Sequence, residues 1–302
     1  MLNDSSFKPV SLEDRDLFAS HYARYPQVHS DNTFTNMICW NHYAHYRYAL
    51  VEECIVLSST IDGNTRYRPP IGPRNPELLA EVMSLAARSK SSLPLVILDP
   101  DTREWISGIY PQLTFCPERN YFDYVYRASD LAGLPGKKYH TIRRQLNQFQ
   151  RDCAWGVEPI TADNVGEVRE FLNQWCEWKD CDSEPVLANE KDAVFFAISH
   201  YSELQLSGLV IRVDGKIAAM AIFERMNDDT ALVHFEKGIP DCKGIYRSIN
   251  AETARHLADN YTYINRESDM GVEGIREAKM RYQPHHMVEV HFVSREELEN
   301  IL

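Results

Sequence analysis

The run Tyr263-Ile264-Asn265-Arg266-Glu267-Ser268-Asp269-Met270-Gly271, followed by Ile275-Arg276-Glu277-Ala278-Lys279-Met280, is the most chemically informative stretch of this chain. A short apolar strand, Tyr261–Ile264, is expected to stop at a dense polar segment. A glycine then opens a helix with Arg276 and Lys279 three residues apart, near one face. Ligands of open α/β sheets bind near the carboxyl ends of strands. Glu267 and Asp269 follow this strand, and Glu236 ends an earlier apolar one, where alternation sets it opposite in parity to Val233 and Phe235. Carboxylates there could orient or deprotonate an attacking amine or hydroxyl within hydrogen-bond reach. The same groups could instead pair with Arg276 and Lys279 in a structural network. Glu236, Glu267, Asp269 and Tyr282 are therefore the candidate catalytic groups, with Asn265 beside them in the expected cleft.

Two further segments could bind a donor. Lys137–Arg151 reads as a helix whose apolar stripe is Tyr139, Ile142, Leu146 and Phe149. Lys137, Lys138, Arg143, Arg144 and Arg151 add positive charge, and helix N-termini favour anions. A phosphate-bearing donor, a tRNA acceptor end or coenzyme A, fits this pattern; so does a solvated basic face. The helix beginning at Ile245 has the stripe Ile245, Ile249, Thr253 and Leu257, with Tyr246 and Asn250 alongside. These two either serve a ligand or cap a neighbouring strand. Lys243 stands in the loop before it. Phe171, Trp175 and Trp178 lie at helical spacing and read as core. No H-E-x-x-H, Walker loop, G-x-S-x-G elbow or dinucleotide fingerprint occurs, so neither a metal nor a tightly bound cofactor is expected.

The elements that must position these groups come from an ordinary globular composition. The chain has 302 residues, 44% hydrophobic and 25% charged, which is room for about two domains. Its net charge of −12 argues against broad non-specific nucleic-acid binding while leaving room for a local basic patch. The seven cysteines are irregularly spaced without a C-x-x-C, which fits a reducing cytoplasm, and the first residues lack a secretory pattern. No stretch approaches the roughly 20 apolar residues of a membrane span.

Periodicity and turn chemistry predict the same element order twice, β-α-α-β-β-β-α-β-α-β in the second half and nearly the same list in the first. Asp214-Gly215 marks a tight hairpin between Leu209–Val213 and Lys216–Phe223. Tyr121–Arg127 is expected to close the first copy and Met287–Val293 the second. The breaker Gly133-Leu134-Pro135-Gly136 sets the boundary, giving domains 1–132 and 133–302. The predicted fold class is mixed α/β, two tandem domains, each a mixed central sheet flanked by helices.

This order is similar to that of the GNAT acyltransferases. Leu134-Pro135-Gly136-Lys137-Lys138-Tyr139-His140, Arg143-Arg144-Gln145-Leu146-Asn147-Gln148-Phe149, Phe235-Glu236-Lys237-Gly238 and Gly244-Ile245-Tyr246 with Asn250 sharpen the likeness. With the Tyr263–Gly271 run, Gly274, Arg276, Lys279 and Tyr282, they resemble the family named after the C-terminal domain of phosphatidylglycerol lysyltransferase. The resemblance implies a tandem GNAT-like fold and transfer of an acyl or aminoacyl group from an aminoacyl-tRNA or acyl-CoA to an amine or hydroxyl. It adds Asn147 to the donor-binding set, and because the first domain has poorer polar clusters at its strand ends, the site is expected in the second. Two departures matter. The multi-helix membrane portion of the lysyltransferase is missing, which weighs against a lipid acceptor. The loop Pro240-Asp241-Cys242-Lys243-Gly244 holds one glycine where coenzyme A binders of this fold carry Q/R-x-x-G-x-G/A. A non-catalytic binding module on a degenerate transferase fold is the competing expectation.

Overall fold

The computed structural model describes residues 2–240 and 242–301; Asp241 of the quoted loop lies outside them. The chain divides into two compact units, Met1–Phe122 with Val288–Leu302, and Asp123–Met287. Each contains a seven-stranded mixed sheet flanked by helices, as the sequence predicts. No helix among the described residues is long and apolar enough to cross a membrane.

The first unit's sheet runs in the order Lys8–Pro9, Arg47–Val51, Cys54–Ile61, Asn64–Tyr67, Leu95–Leu98, His291–Val293, Cys116–Pro117. Leu79, Val82 and Met83 of the helix Pro76–Ala87 pack with Leu95, Leu98 and Val293 in its core. The strand Asn64–Tyr67 ends just before Pro69 and Pro70, which have no N–H to continue a ladder.

The second unit's sheet runs His286–Val288, Asp123–Arg127, Tyr263–Asn265, Thr230–Gly238, Lys216–Arg225, Ser207–Val213, Trp155–Pro159. Asp214 and Gly215 both have positive φ, as the predicted two-residue hairpin requires. The helices Ala128–Gly133, His140–Asp152 and Ile245–Ala258 cover one face with Ile142, Leu146, Phe149, Ile249 and Leu257. The helix Val165–Lys179 packs on the same sheet through Val168, Phe171, Leu172 and Trp175.

The division differs from the expected 1–132 and 133–302. The strand expected to close the first copy, Asp123–Arg127, pairs antiparallel with Tyr263–Asn265 in the second sheet. The expected single strand Met287–Val293 is two strands, and His291–Val293 pairs with Leu95–Leu98 in the first sheet. The first sheet is completed by a strand from the far end of the chain, and the second begins one element earlier than expected, at Asp123. Short apolar strands carry no sequence mark of which edge they join, so element order alone misassigns them.

Two features of the second sheet position the site. Thr230–Gly238 and Tyr263–Asn265 are parallel, but their pairing stops at Leu232 and Asn265, and the longer strand continues alone on that side to Gly238. A β-bulge lies opposite, where Ile222 pairs Phe235 while Phe223 pairs Val233, so His234 is the extra residue. The bulge resets alternation. Val233 faces Phe223, and beyond the bulge Glu236 faces Ala221; both partners belong to the core under the Ile245–Ala258 helix. Glu236 therefore shares the face of Val233, which corrects the parity expected from sequence.

Candidate active site

The unpaired end of Thr230–Gly238 delivers Glu236 to one wall of a cavity of about 570 Å³. Arg266 follows the end of Tyr263–Asn265 and enters the same cavity, where its Nη2 donates to the Glu236 carboxylate. Asn250 Nδ2 on the Ile245–Ala258 helix donates to Glu236 at 3.2 Å. Tyr282 completes this wall, with Arg266 and Arg247 guanidinium groups each 5.1 Å from its ring centroid. Arg247 is steadied by Gln145, to which its Nε donates at 3.2 Å.

Buried polar atoms ordinarily have partners. Here Arg266 Nη1, the Tyr282 hydroxyl and Asn250 Oδ1 are buried with no hydrogen-bond partner among the described residues. Burial raises the Tyr282 phenol above its usual range, although Arg247 and Arg266 pull the other way, so it stays a proton donor at neutral pH. Arg266 and Tyr282 both line the cavity, and these two of their atoms are unused donors buried in its wall.

Gly244 lets the helix close over this site. Its φ is +95°, and a Cβ there would sit 2.6 Å from the Gln145 carbonyl oxygen. Only glycine accepts both the conformation and the approach. Tyr246, the second residue of the helix, lines the cavity and accepts a hydrogen bond from Trp175 Nε1 at 3.1 Å. Trp178, expected in the core, is 50% exposed and lines the cavity, while Phe171 and Trp175 are buried as expected.

Several predicted site residues hold the loop after Asn265 rather than the cavity. Asp269 is fully buried. It accepts from Arg276 Nε at 2.8 Å and Nη2 at 2.9 Å, from the Tyr124 hydroxyl at 2.5 Å, and from the Gly271 N–H at 2.9 Å. Burial opposes its charge, but Arg276 and Tyr124 outweigh that and hold its carboxyl at about 2, so it cannot serve as a base at neutral pH. Asn265 is buried too, donating to Asp123 at 2.8 Å and accepting from the Glu267 N–H at 2.8 Å. Lys279 lines the cavity, yet its Nζ donates to the carbonyls of Arg266, Glu267 and Ser268 at 2.6, 3.1 and 2.5 Å. Burial, and then the Arg266 charge, push its amine down to about 8. These bonds fix a backbone with positive φ at Glu267 and Met270, a conformation that non-glycine residues rarely adopt. Asp269, Arg276, Lys279 and Asn265 thus position Arg266.

Glu267 belongs to a different group. His234 lies between two carboxylates, with Nδ1 2.9 Å from Glu267 and Nε2 3.0 Å from Glu224. Burial disfavours the imidazolium, but these two hydrogen bonds prevail and raise its pKa to about 9. Its folded value lies above the ordinary 6.5, so its stabilising contribution is full below about pH 6.5 and lost as pH rises through 9. Titration of the His234 ring by NMR should therefore show a midpoint near 9; a midpoint at or below 6.5 would dissolve the assignment of this pair of ion pairs.

The basic segment is a separate surface. A 3-10 turn, Lys137–Tyr139, precedes the helix His140–Asp152. Lys137 and Lys138 are exposed and line neither opening, and Lys138 stands 3.5 Å from Asp130. Positive charge gathers along the helix instead, in a groove of about 690 Å³ lined by Arg143, Arg144, Asn147, Gln148, Arg151 and Lys243, among others. Arg143 donates there to the carbonyls of Leu134 and Gly136, which ties down the preceding turn. Lys243 and Gln145 line both groove and cavity, so the two openings adjoin.

Sequence reasoning brought Glu236, Tyr246, Tyr282, Lys243 and Lys279 to one cavity and missed Arg247, Gln145 and the chemical role of Arg266. Arg266 had a legible signal, since it directly follows a strand end. Arg247 had none, because one arginine on an amphipathic helix looks like any surface cation.

The chain matches the family "Phosphatidylglycerol lysyltransferase, C-terminal" over residues 22–293. No curated protein matches it. A conserved protein of unknown function from Bacteroides thetaiotaomicron is 30% identical, with 95% of this chain and 98% of that chain covered and a TM-score of 0.88. The C-terminal domain (DUF2156) of a candidate lysylphosphatidylglycerol synthetase from Agrobacterium fabrum is 13% identical, with 96% of each chain covered and a TM-score of 0.65. L-PGS from Bacillus licheniformis is 12% identical, with 95% of this chain and 93% of that chain covered and a TM-score of 0.64. The last two likenesses are of fold. With the predicted resemblance matched across most of its length, the chain belongs to the phosphatidylglycerol lysyltransferase C-terminal family.

Proposed function

We propose that this chain is an acyl- or aminoacyltransferase whose reaction centre is the cavity at the end of the splayed parallel strands. The observation that carries this reading is the pair of buried, unpartnered donors, Arg266 Nη1 and the Tyr282 hydroxyl, beside the Glu236 carboxylate. Donors fixed in a water-poor site stabilise an oxyanion far better than donors in water.

The donor is an aminoacyl-tRNA or an acyl-CoA. Its phosphates lie along Arg144, Gln148, Arg151 and Lys243, and its ester or thioester carbonyl enters the adjoining cavity. An acceptor amine or hydroxyl attacks the carbonyl carbon. The new C–N or C–O bond forms while the carbonyl oxygen takes negative charge, facing Arg266 and Tyr282. Glu236 accepts the acceptor's proton. The tetrahedral centre then collapses, the bond to the ribose oxygen or thiol sulfur breaks, and that atom takes up the proton. Family membership and the basic groove in a chain of net charge −12 support this reading.

The test is enzyme-dependent discharge. Purified protein is mixed with labelled aminoacyl-tRNAs or acyl-CoAs and a panel of amines and hydroxyl compounds. The reading expects donor loss with the label recovered in amide or ester linkage. Tight donor binding without discharge would instead select the non-catalytic binding module, and no binding of either donor would end the transferase reading.

A further inference from the structure

Given the transferase reading above, the walls of the cavity determine which acyl group it admits. Its apolar lining includes Trp178, Ile245, Tyr246, Ile275, Ala278 and the Tyr282 ring. The hydrogen bond from Trp175 to Tyr246 at 3.1 Å fixes the orientation of one of these aromatic groups. Apolar side chains gain by entering such a space, roughly in proportion to the surface they bury.

The charges lining the cavity are one-sided. Lys243, Arg247, Arg266 and Lys279 contribute positive charge, and Glu236 is the one carboxylate among the described lining residues. Glu236 is already engaged by Arg266 and Asn250. A side-chain ammonium carried into this cavity loses its water, meets a carboxylate that has its counter-ion, and faces further cations. Such a group is strongly disfavoured unless it finds a free partner. We propose that the cavity selects an acyl or aminoacyl group with an uncharged, apolar side chain and discriminates against lysyl and other groups whose side chain ends in an ammonium; the α-amine that all aminoacyl esters share is the same on both sides of this contrast. The carbonyl can arrive as an ester on a ribose hydroxyl or as a thioester, since both present the same atom to Arg266 and Tyr282.

The experiment compares matched pairs by calorimetry on the full chain. One arm uses adenosine carrying a norleucyl or a lysyl group in amide linkage at the ribose. The other uses a hexyl or an aminohexyl thioether of coenzyme A. In whichever arm binds, the apolar member should bind at least about tenfold tighter than its ammonium-terminated partner, a difference well within what an apolar pocket supplies. Ile275→Glu, with Ala278→Glu as a second variant, should shift that ratio about tenfold toward the ammonium member by adding an uncommitted carboxylate. Equal or tighter binding of the lysyl or aminohexyl member overturns the selectivity and leaves the transferase reading standing, and so does a ratio that neither variant moves. Silence in both arms overturns the transferase reading itself. The arm that binds also identifies the source of the carbonyl.

Discussion

Asp269→Ala should lower the free energy of unfolding by about 1–3 kcal/mol, the scale of leaving buried hydrogen-bonding groups without their partner. The Arg276 side chain is 34% exposed and keeps part of its hydration, while the Asp269 side chain is fully buried and accepts from Arg276, Tyr124 and the Gly271 N–H. Its removal strands a guanidinium and a phenol and releases the segment that delivers Arg266. Guanidinium denaturation at pH 7 measures the effect as a lower midpoint. Adding Arg276→Met should recover part of the loss, because apolar replacement of both partners costs less than leaving one charge alone. The acid limb gives an independent check. The Asp269 carboxyl is held at about 2 against an ordinary 3.8, so its contribution is full above about pH 4 and lost as pH falls through 2. A variant that keeps wild-type stability while losing all turnover would restore Asp269 to the catalytic role expected from sequence and refute the positioning role.

That contrast shows what the sequence could and could not convey. Paired charges after a strand end looked the same whether they served catalysis or architecture, because residue type and spacing do not report burial. For Asp269, Asn265, Arg276 and Lys279 the sequence leaves a cleft role and a structural network both open, and their hydrogen bonds go to Tyr124, Asp123 and loop carbonyls. The amphipathic helices, the Asp214-Gly215 hairpin and the mixed α/β class were legible because each rests on local chemistry. Strand membership was not, since Asp123–Arg127 and His291–Val293 find their partners far along the chain. The bulge at His234 left no glycine or proline behind it, so simple alternation misplaced Glu236 by one face. The residues that survive as a candidate reaction centre, Glu236 and Tyr282, are joined by Arg266, which sequence reading had noted only as part of a motif.

Tyr282→Phe separates reaction chemistry from architecture more cleanly than any charge removal. The Tyr282 ring packs against Arg247 and Arg266, and phenylalanine keeps that surface. Its hydroxyl is buried and donates to no group among the described residues, and the neighbouring Arg247 guanidinium is its one polar contact, so its loss removes little protein hydrogen bonding. Deleting an unsatisfied buried polar group is neutral or stabilising. The thermal midpoint should therefore hold or rise. If the hydroxyl donates to the developing oxyanion, kcat should fall by about 10²-fold with KM little changed, the scale set by loss of one preorganised donor. A purely structural hydroxyl would give the opposite pattern, full turnover with a lowered midpoint. Arg266 cannot be tested this simply, because removing it also leaves Glu236 buried without its counter-ion. Tyr282 carries no such debt to the fold, so a selective loss of kcat in Tyr282→Phe locates the transition-state charge beside it.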